Sequence, residues 1–245
     1  MLFRSVMIGA LMFLGCPIRM ILRLGGGDLN ALFGIAGFAG GIGFGTIFLK
    51  KGYSLQRTYA LSKLESAMMP AIQVGLLVLV VAAPAFIFFS QKGPGAMHAP
   101  WLISLVAGLV VGGLSQVSRL CTVGGFRDLF LFKKSILIFG YLAVLIGVFV
   151  VNISFGNFHL GFENQPIAHT DGLWNFLGMA LAGFCSVLLG GCPLRQLIMT
   201  GEGNSDSAVT VLGLAAGAAF AHNFGLAASG AGPTLNGEIA VVVGF

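Results

Sequence analysis

Two short stretches carry the residue types most able to do chemistry: Gly15-Cys16-Pro17-Ile18-Arg19 and Gly191-Cys192-Pro193-Leu194-Arg195, an identical Gly-Cys-Pro-x-Arg pattern at an offset of 176. A third stretch, 115–128, sets Cys121 in Leu-Cys-Thr-Val-Gly-Gly-Phe-Arg-Asp, without the proline. Proline removes an amide donor and its ring clashes with the preceding turn, and glycine lets the backbone leave helical geometry, so each stretch predicts a helix break. A short helix started after the break aims its free amides back at the cysteine, a ready anion site. Arg19 and Arg195, three residues beyond their cysteines, each add a full positive charge. The result is an electropositive spot with a thiol at its centre. A small anion with a soft sulfur or selenium end suits it, oxygens toward amides and arginine, chalcogen toward the thiol. A thiol would donate a weak S–H hydrogen bond and a thiolate would attack covalently; the residues do not choose between these.

Each of these residues also has a plainer role. Cys185 has no break beside it and reads as a small packed apolar residue. Arg19 and Arg195 either complement an anion or snorkel to an interface, and Arg23, Arg119 and Arg127 stand equally between the two. The run 40–45, rich in glycine, sits inside an apolar segment with no strand before it, so close packing is expected and not dinucleotide binding. His98, His159 and His169 fall in polar loops and read as solvated; His222 with Asn223 reads as a packed polar pair. The loop 163–171 is expected to form an external cap. With four cysteines and no Cys-x-x-Cys, neither a disulfide framework nor a zinc site is expected, and no cofactor.

The elements that position these residues follow from composition. The chain has 245 residues, 57% hydrophobic and 9% charged, with a mean hydropathy of +0.96. Soluble chains carry about 25% charged residues, so a water-soluble domain, a disordered tail and a nucleic-acid binder are excluded, and the lipid bilayer is the expected surrounding. Crossing it takes about 20 apolar residues. Uncharged runs of that order occur at 29–49, 66–91, 99–118, 135–158, 172–194 and 207–237, with a shorter one at 5–18. The expected fold is therefore all-α, a polytopic membrane protein of about seven membrane segments. The first segment and the ends of those at 99–118 and 172–194 are broken into short, re-entrant half-helices. Alternation of the segments puts Arg4, Lys50, Lys51, Arg57, Lys63, Arg119, Arg127, Lys133, Lys134 and Arg195 on one side. Arg19, Arg23 and Lys92 fall on the other. That ten-to-three split makes the first side cytoplasmic. No cleavable signal peptide is expected at the N-terminus; the half-length first run is expected either to stay in the membrane as it stands or to lack upstream sequence.

The offset of 176 extends beyond the motif: Gly27 falls on Gly203, Gly37 on Gly213, Ala39 on Ala215, Gly41 on Gly217 and Phe44 on Phe220. The chain thus reads as one membrane domain, 1–245, holding a repeat with copy one at about 5–49 and copy two at about 173–226. The copies are five crossings apart, an odd number, so they are expected to lie antiparallel. Inverted repeats with interrupted helices at matching positions point to a transporter's central site.

The twice-occurring Gly-Cys-Pro-x-Arg, with Leu120-Cys-Thr-Val-Gly-Gly-Phe-Arg-Asp-Leu129 between, resembles the YeeE/YedE family of sulfur-transport membrane proteins. The stretches 26–32, 48–54, 161–174, 201–206 and 221–225 bring the likeness closest to its selenium-metabolism YedE/FdhT branch. The resemblance implies an inner-membrane helical fold with half-helices meeting centrally, and uptake of thiosulfate or a related sulfur or selenium species. It further implies that Cys16, Cys121 and Cys192 pass the cargo along through S–H···S contacts, and that a small TusA-like sulfur carrier is a cytoplasmic partner. On this reading the substrate path comprises Cys16, Cys121, Cys192, Arg19 and Arg195, with Gly15, Pro17, Gly191 and Pro193 shaping the backbone. The protein is then a permease, not an enzyme. The rivals are a membrane sulfurtransferase or redox protein forming a persulfide or selenyl-sulfide on Cys192, and a scaffold for the carrier.

Overall fold

The structure is a computed structural model that describes residues 2–54, 62–83, 86, 91, 96 and 99–245. Arg57, Lys92 and His98 lie outside the described residues. Eleven helices are described: α1 (Leu2–Phe13), α2 (Pro17–Gly25), α3 (Asn30–Lys50), α4 (Lys63–Ala82), α5 (Trp101–Val117), α6 (Thr122–Phe132), α7 (Ile136–Ser154), α8 (Gly172–Leu189), α9 (Pro193–Gly201), α10 (Ser205–Asn223) and α11 (Leu235–Gly244). Outside them only two isolated β-bridges occur among the described residues, Asp28 with Gly161 and Ser229 with Gly232.

Six stretches are long and apolar enough to cross a bilayer: Leu2–Gly25, Asn30–Lys50, Lys63–Ala82, Trp101–Phe132, Ile136–Ser154 and Gly172–Gly201. Three of the six are composite. α1 and α2 meet at Cys16, α5 and α6 at Cys121, α8 and α9 at Cys192. α2 and α9 have nine residues each, about 14 Å at the usual helical rise, half the thickness of a hydrocarbon core. α10 has the length of a span, 19 residues, with a more polar composition. The run 207–237 does not form one helix: the chain leaves α10 at Asn223 and restarts at Leu235. Gly225 and Gly232 adopt positive φ there, and Pro233 cannot supply the amide that a continuous helix needs.

The breaks share one backbone recipe. Each cysteine is the N-cap of the short helix that follows, and the residue two before it is left-handed: Leu14 (φ 61°), Arg119 (φ 53°) and Gly190 (φ 88°). At the offset of 176 the bounds of α2 map onto those of α9, and Gly27 (φ 99°) maps onto Gly203 (φ 88°). Cys16 (φ −78°, ψ 170°) and Cys192 (φ −74°, ψ 163°) have nearly the same conformation.

The core is a close-packed helical seam. A side chain on Gly37 would run into the Phe176 carbonyl and one on Gly41 into the Ala180 carbonyl, so α3 lies backbone-to-backbone against α8. Contacts between small residues of this kind, not apolar burial, hold helices together in lipid. Rising numbers pair with rising numbers along this seam, so α3 and α8 run parallel. Gly9 meets Gly178 and Ala182 in the opposite sense, so α1 is antiparallel to both. The ends bearing Arg4, Lys50 and Lys51 therefore lie together, opposite the loop 157–171. α4, α5 and α7 surround this core with apolar surface: Leu64, Val78, Leu109, Val111, Ile136, Phe139 and Ile146 are all exposed. That surface is the one a bilayer covers.

The loop before α8 is tied down. Asn30 Nδ2 donates to the Phe162 carbonyl at 2.7 Å, and Gln165 Nε2 to the His159 carbonyl at 2.7 Å. His169, expected to be solvated, is 2% exposed with its Nε2 at 2.8 Å from the Met12 carbonyl. The reason is helix-end chemistry: α1 stops at Phe13, and the carbonyls of its last turn need donors that the break removed. His222 and Asn223, expected as a packed polar pair, are both exposed. Cys185 packs as a small apolar residue, 1% exposed, in a cluster with Val6, Met12 and Leu181.

Candidate functional site

The first positioning device is a buried ion pair. Arg23, at the end of α2, donates from Nε to Asp28 Oδ2 at 2.6 Å and from Nη1 to the Phe13 carbonyl at 2.6 Å. Its guanidinium also lies 4.1 Å over the Phe13 ring. Asp28 is held in turn by the amide and side chain of Asn30, at 2.9 and 3.0 Å. The end of α2 is thus clamped to the end of α1, which fixes the hairpin that carries Cys16. Arg23 is a brace.

At the second and third breaks the cysteines come together. Cys121 Sγ and Cys192 Sγ are 3.9 Å apart, with Cys121 9% and Cys192 2% exposed. Cys121 caps its own helix: its sulfur accepts from the Gly124 amide at 3.3 Å. The Cys192 sulfur lies beside the backbone amides of Thr122 and Arg195, and the Cys121 sulfur beside the amide of Cys192. The starts of α6 and α9 therefore converge on one pair of sulfurs. Neither α2 nor α9 has a capping side-chain hydrogen bond, and in α9 the Arg195 amide lies beside the Cys192 sulfur. Helix N-termini carry about half a positive charge each and favour an anionic neighbour.

Cys16 is half-buried and opens onto a cavity of about 780 Å³. That cavity is lined by Gly15, Cys16, Ile18 and Arg19 from the first motif and by Pro193 and Leu194 from the second. A further cavity of about 790 Å³ is lined by Ile18 and Leu194 together with Ser115, Ser118 and Leu120 from the third break. The variable positions of the two motifs, Ile18 and Leu194, thus stand in both cavities. Pro17 and Gly191 shape the backbone on either side: the Pro17 carbonyl is 3.5 Å from the Tyr141 hydroxyl, and Gly191 is buried against the Gln196 and Arg195 side chains.

The two arginines diverge. Arg19 lies along Gly15 and lines both the 780 Å³ cavity and a polar one of about 450 Å³ with Arg23, Asp28, Asn152, Asn157, His159 and Gln165. Its Nε is buried with no hydrogen-bond partner among the described residues. Arg195 is engaged elsewhere: Nη1 donates to Gln116 Oε1 at 2.9 Å and lies 3.7 Å from Glu202 Oε1. At that end the charge on the path is partly answered by a carboxylate that sequence reasoning did not single out.

Tyr141 was also missed. It is the sole phenol in the apolar run of α7, and it is 8% exposed within the cluster that holds Cys121 and Cys192. A lone tyrosine in a 19-residue apolar span was the available signal.

Known proteins resemble parts of this chain. The model of the family described as sulphur transport matches residues 117–236, a stretch that includes Cys121 and Cys192. The thiosulfate transporter TsuA of Escherichia coli (strain K12) is 30% identical over 111 residues. That alignment covers 44% of this chain and 30% of TsuA, so the chain matches under a third of that relative's length. With its helical spans broken at the motif cysteines, this chain is a multi-pass membrane protein that matches the sulphur transport (YeeE/YedE) family over residues 117–236.

Proposed function

We propose that this protein is an inner-membrane permease for a small sulfur-containing anion of the thiosulfate class, guided by Cys16, Cys121 and Cys192. The observation that carries the reading is the pair of sulfurs at 3.9 Å, buried where two helix starts converge. Arg19, which lines the polar cavity, supplies the first positive charge the anion meets. From the cavity at Cys16 the terminal sulfur of the cargo passes to the thiol pair, each S–H donating to it in turn. Amides at the starts of α6 and α9 replace hydration lost on entry. The path is narrow because the two thiols touch; cargo must part them, so water and ions without a soft end gain nothing by entering. TsuA, the relative matched, is a thiosulfate transporter by name, which supports thiosulfate as the first cargo to try. The selenium species and the TusA-like carrier implied by the resemblance belong to the same proposal.

The test is uptake of radiolabelled thiosulfate into proteoliposomes, with selenite as competitor. Wild type should accumulate label, and Cys192→Ser should abolish accumulation while inserting normally. Normal rates in a Cys16/Cys121/Cys192 triple serine variant would remove the thiols from the mechanism. A covalent sulfur adduct on Cys192 accumulating during turnover, read by mass spectrometry, would favour the sulfurtransferase instead.

A further inference from the structure

Two hydroxyls stand beside the thiols with hydrogen-bonding capacity to spare. Thr122, next to Cys121 and 1% exposed, sets its Oγ1 against the Cys192 sulfur and has no other hydrogen-bond partner among the described residues. Tyr141 comes from α7. Its hydroxyl is 3.5 Å from the Pro17 carbonyl, the residue after Cys16. That is long for an O–H···O bond, which ordinarily spans about 2.5–3.0 Å. The Tyr141 ring is held edge-on by Phe126 at 5.8 Å, and Phe126 edge-on by Phe38 at 5.9 Å. Its hydroxyl is within electrostatic reach of both Cys16 and Cys192.

Buried hydroxyls are nearly always paired, and one left unpaired is costly. Here two under-paired ones flank the same sulfurs, inside a cluster otherwise made of Phe13, Phe38, Met179, Val187 and their neighbours. Packing offers no reason for them, since phenylalanine and valine would fill the same space. A ligand does. Thiols are soft, weak donors suited to a terminal sulfur; phenol and alcohol are harder donors suited to oxygen.

Resting on the permease reading, we propose that Tyr141 and Thr122 hold the oxygen atoms of the cargo while the thiols hold its sulfur. The site thereby selects a sulfur oxyanion over a sulfur ligand that has no oxygens. Tyr141 meets the anion as it leaves Cys16, and Thr122 meets it at the Cys121–Cys192 pair. No covalent step is involved; the hydroxyls donate and release hydrogen bonds as the anion advances.

Tyr141→Phe and Thr122→Val keep shape and remove one hydroxyl each. Thiosulfate uptake by proteoliposomes is measured beside binding of thiosulfate and of hydrosulfide to the purified protein. A hydrogen bond to a charged ligand translates to about 10- to 100-fold, so each variant should lose that much in thiosulfate kcat/KM and affinity. Hydrosulfide affinity should stay within about twofold of wild type, whereas Cys192→Ser should weaken both ligands. Equal losses for thiosulfate and hydrosulfide in Tyr141→Phe, or no loss for either, overturn the assignment. Wild-type vesicles that accumulate no thiosulfate overturn the permease reading itself. Vesicles that accumulate it equally well with Tyr141→Phe overturn only the role of the hydroxyl.

Discussion

Asp28→Asn is the most informative perturbation of the scaffold under the site. The change preserves shape and leaves an oxygen to accept from Asn30, but it removes the counter-charge of Arg23. Arg23 is 7% exposed, so solvent screens the stranded charge only weakly. The guanidinium would keep the Phe13 carbonyl at 2.6 Å and the Phe13 ring at 4.1 Å, neither of which carries a formal charge. Breaking one side of a buried ion pair costs about 3–5 kcal/mol, most of it the stranded partner's desolvation. For a chain of this size each kcal/mol moves Tm by about 2–4 °C, so Tm should fall by about 6–20 °C. Removing both charges with Arg23→Met/Asp28→Asn should recover at least half of that fall, because an apolar replacement of a buried pair is close to neutral. The assay is thermal unfolding of the two single variants and the double variant in detergent, with thiosulfate uptake alongside. Uptake should fall with stability in Asp28→Asn, since the same clamp orients the hairpin bearing Cys16. A Tm for Asp28→Asn within about 2 °C of wild type, or a double variant no better than the single, would refute the argument.

Two further outcomes follow from the geometry. Gly41→Ala drives a methyl group into the Ala180 carbonyl at the α3–α8 seam and should destabilise by about 1–3 kcal/mol, whereas Gly40→Ala, whose nearest neighbour is Phe176 at 4.0 Å, should be neutral or slightly stabilising; matched thermal unfolding curves check the contrast. Phenylarsine oxide, which bridges neighbouring thiols, should be retained by the folded protein through the Cys121–Cys192 pair at 3.9 Å, resist monothiol washes, block uptake and fail to be retained by Cys121→Ser.

How much of this was legible beforehand depends on how far apart the cooperating residues lie in the chain. Gly-Cys-Pro-x-Arg announces its helix break locally, through proline and glycine, so both breaks and the helices behind them could be read from five residues apiece. The repeat made that reading stronger, and α2 and α9 do share the same bounds at the offset of 176. The third break has no proline and no glycine directly before its cysteine; only the cysteine and the two glycines after it hinted at it. Arg23 could not be assigned between anion binding and structure, because its partner's ionic role depends on how the chain turns at Gly27. His169 looked solvated because polar loops usually are; its place under α1 follows from unpaired carbonyls that a sequence does not display.

By itself the sequence determined that the protein lives in lipid, that its helices break at three cysteines, and that two of these breaks repeat one another. Those properties are short-range, set by apolar run length, by proline and by glycine. Only the tertiary structure decided that Cys192 pairs with Cys121 and not with its repeat-mate Cys16, that Arg19 stays open to a cavity while Arg195 is met by Gln116 and Glu202, and that Tyr141 and Thr122 stand among the thiols. Those outcomes belong to helix-against-helix packing, where the close approach of α3 to α8 fixes which distant side chains share one buried space.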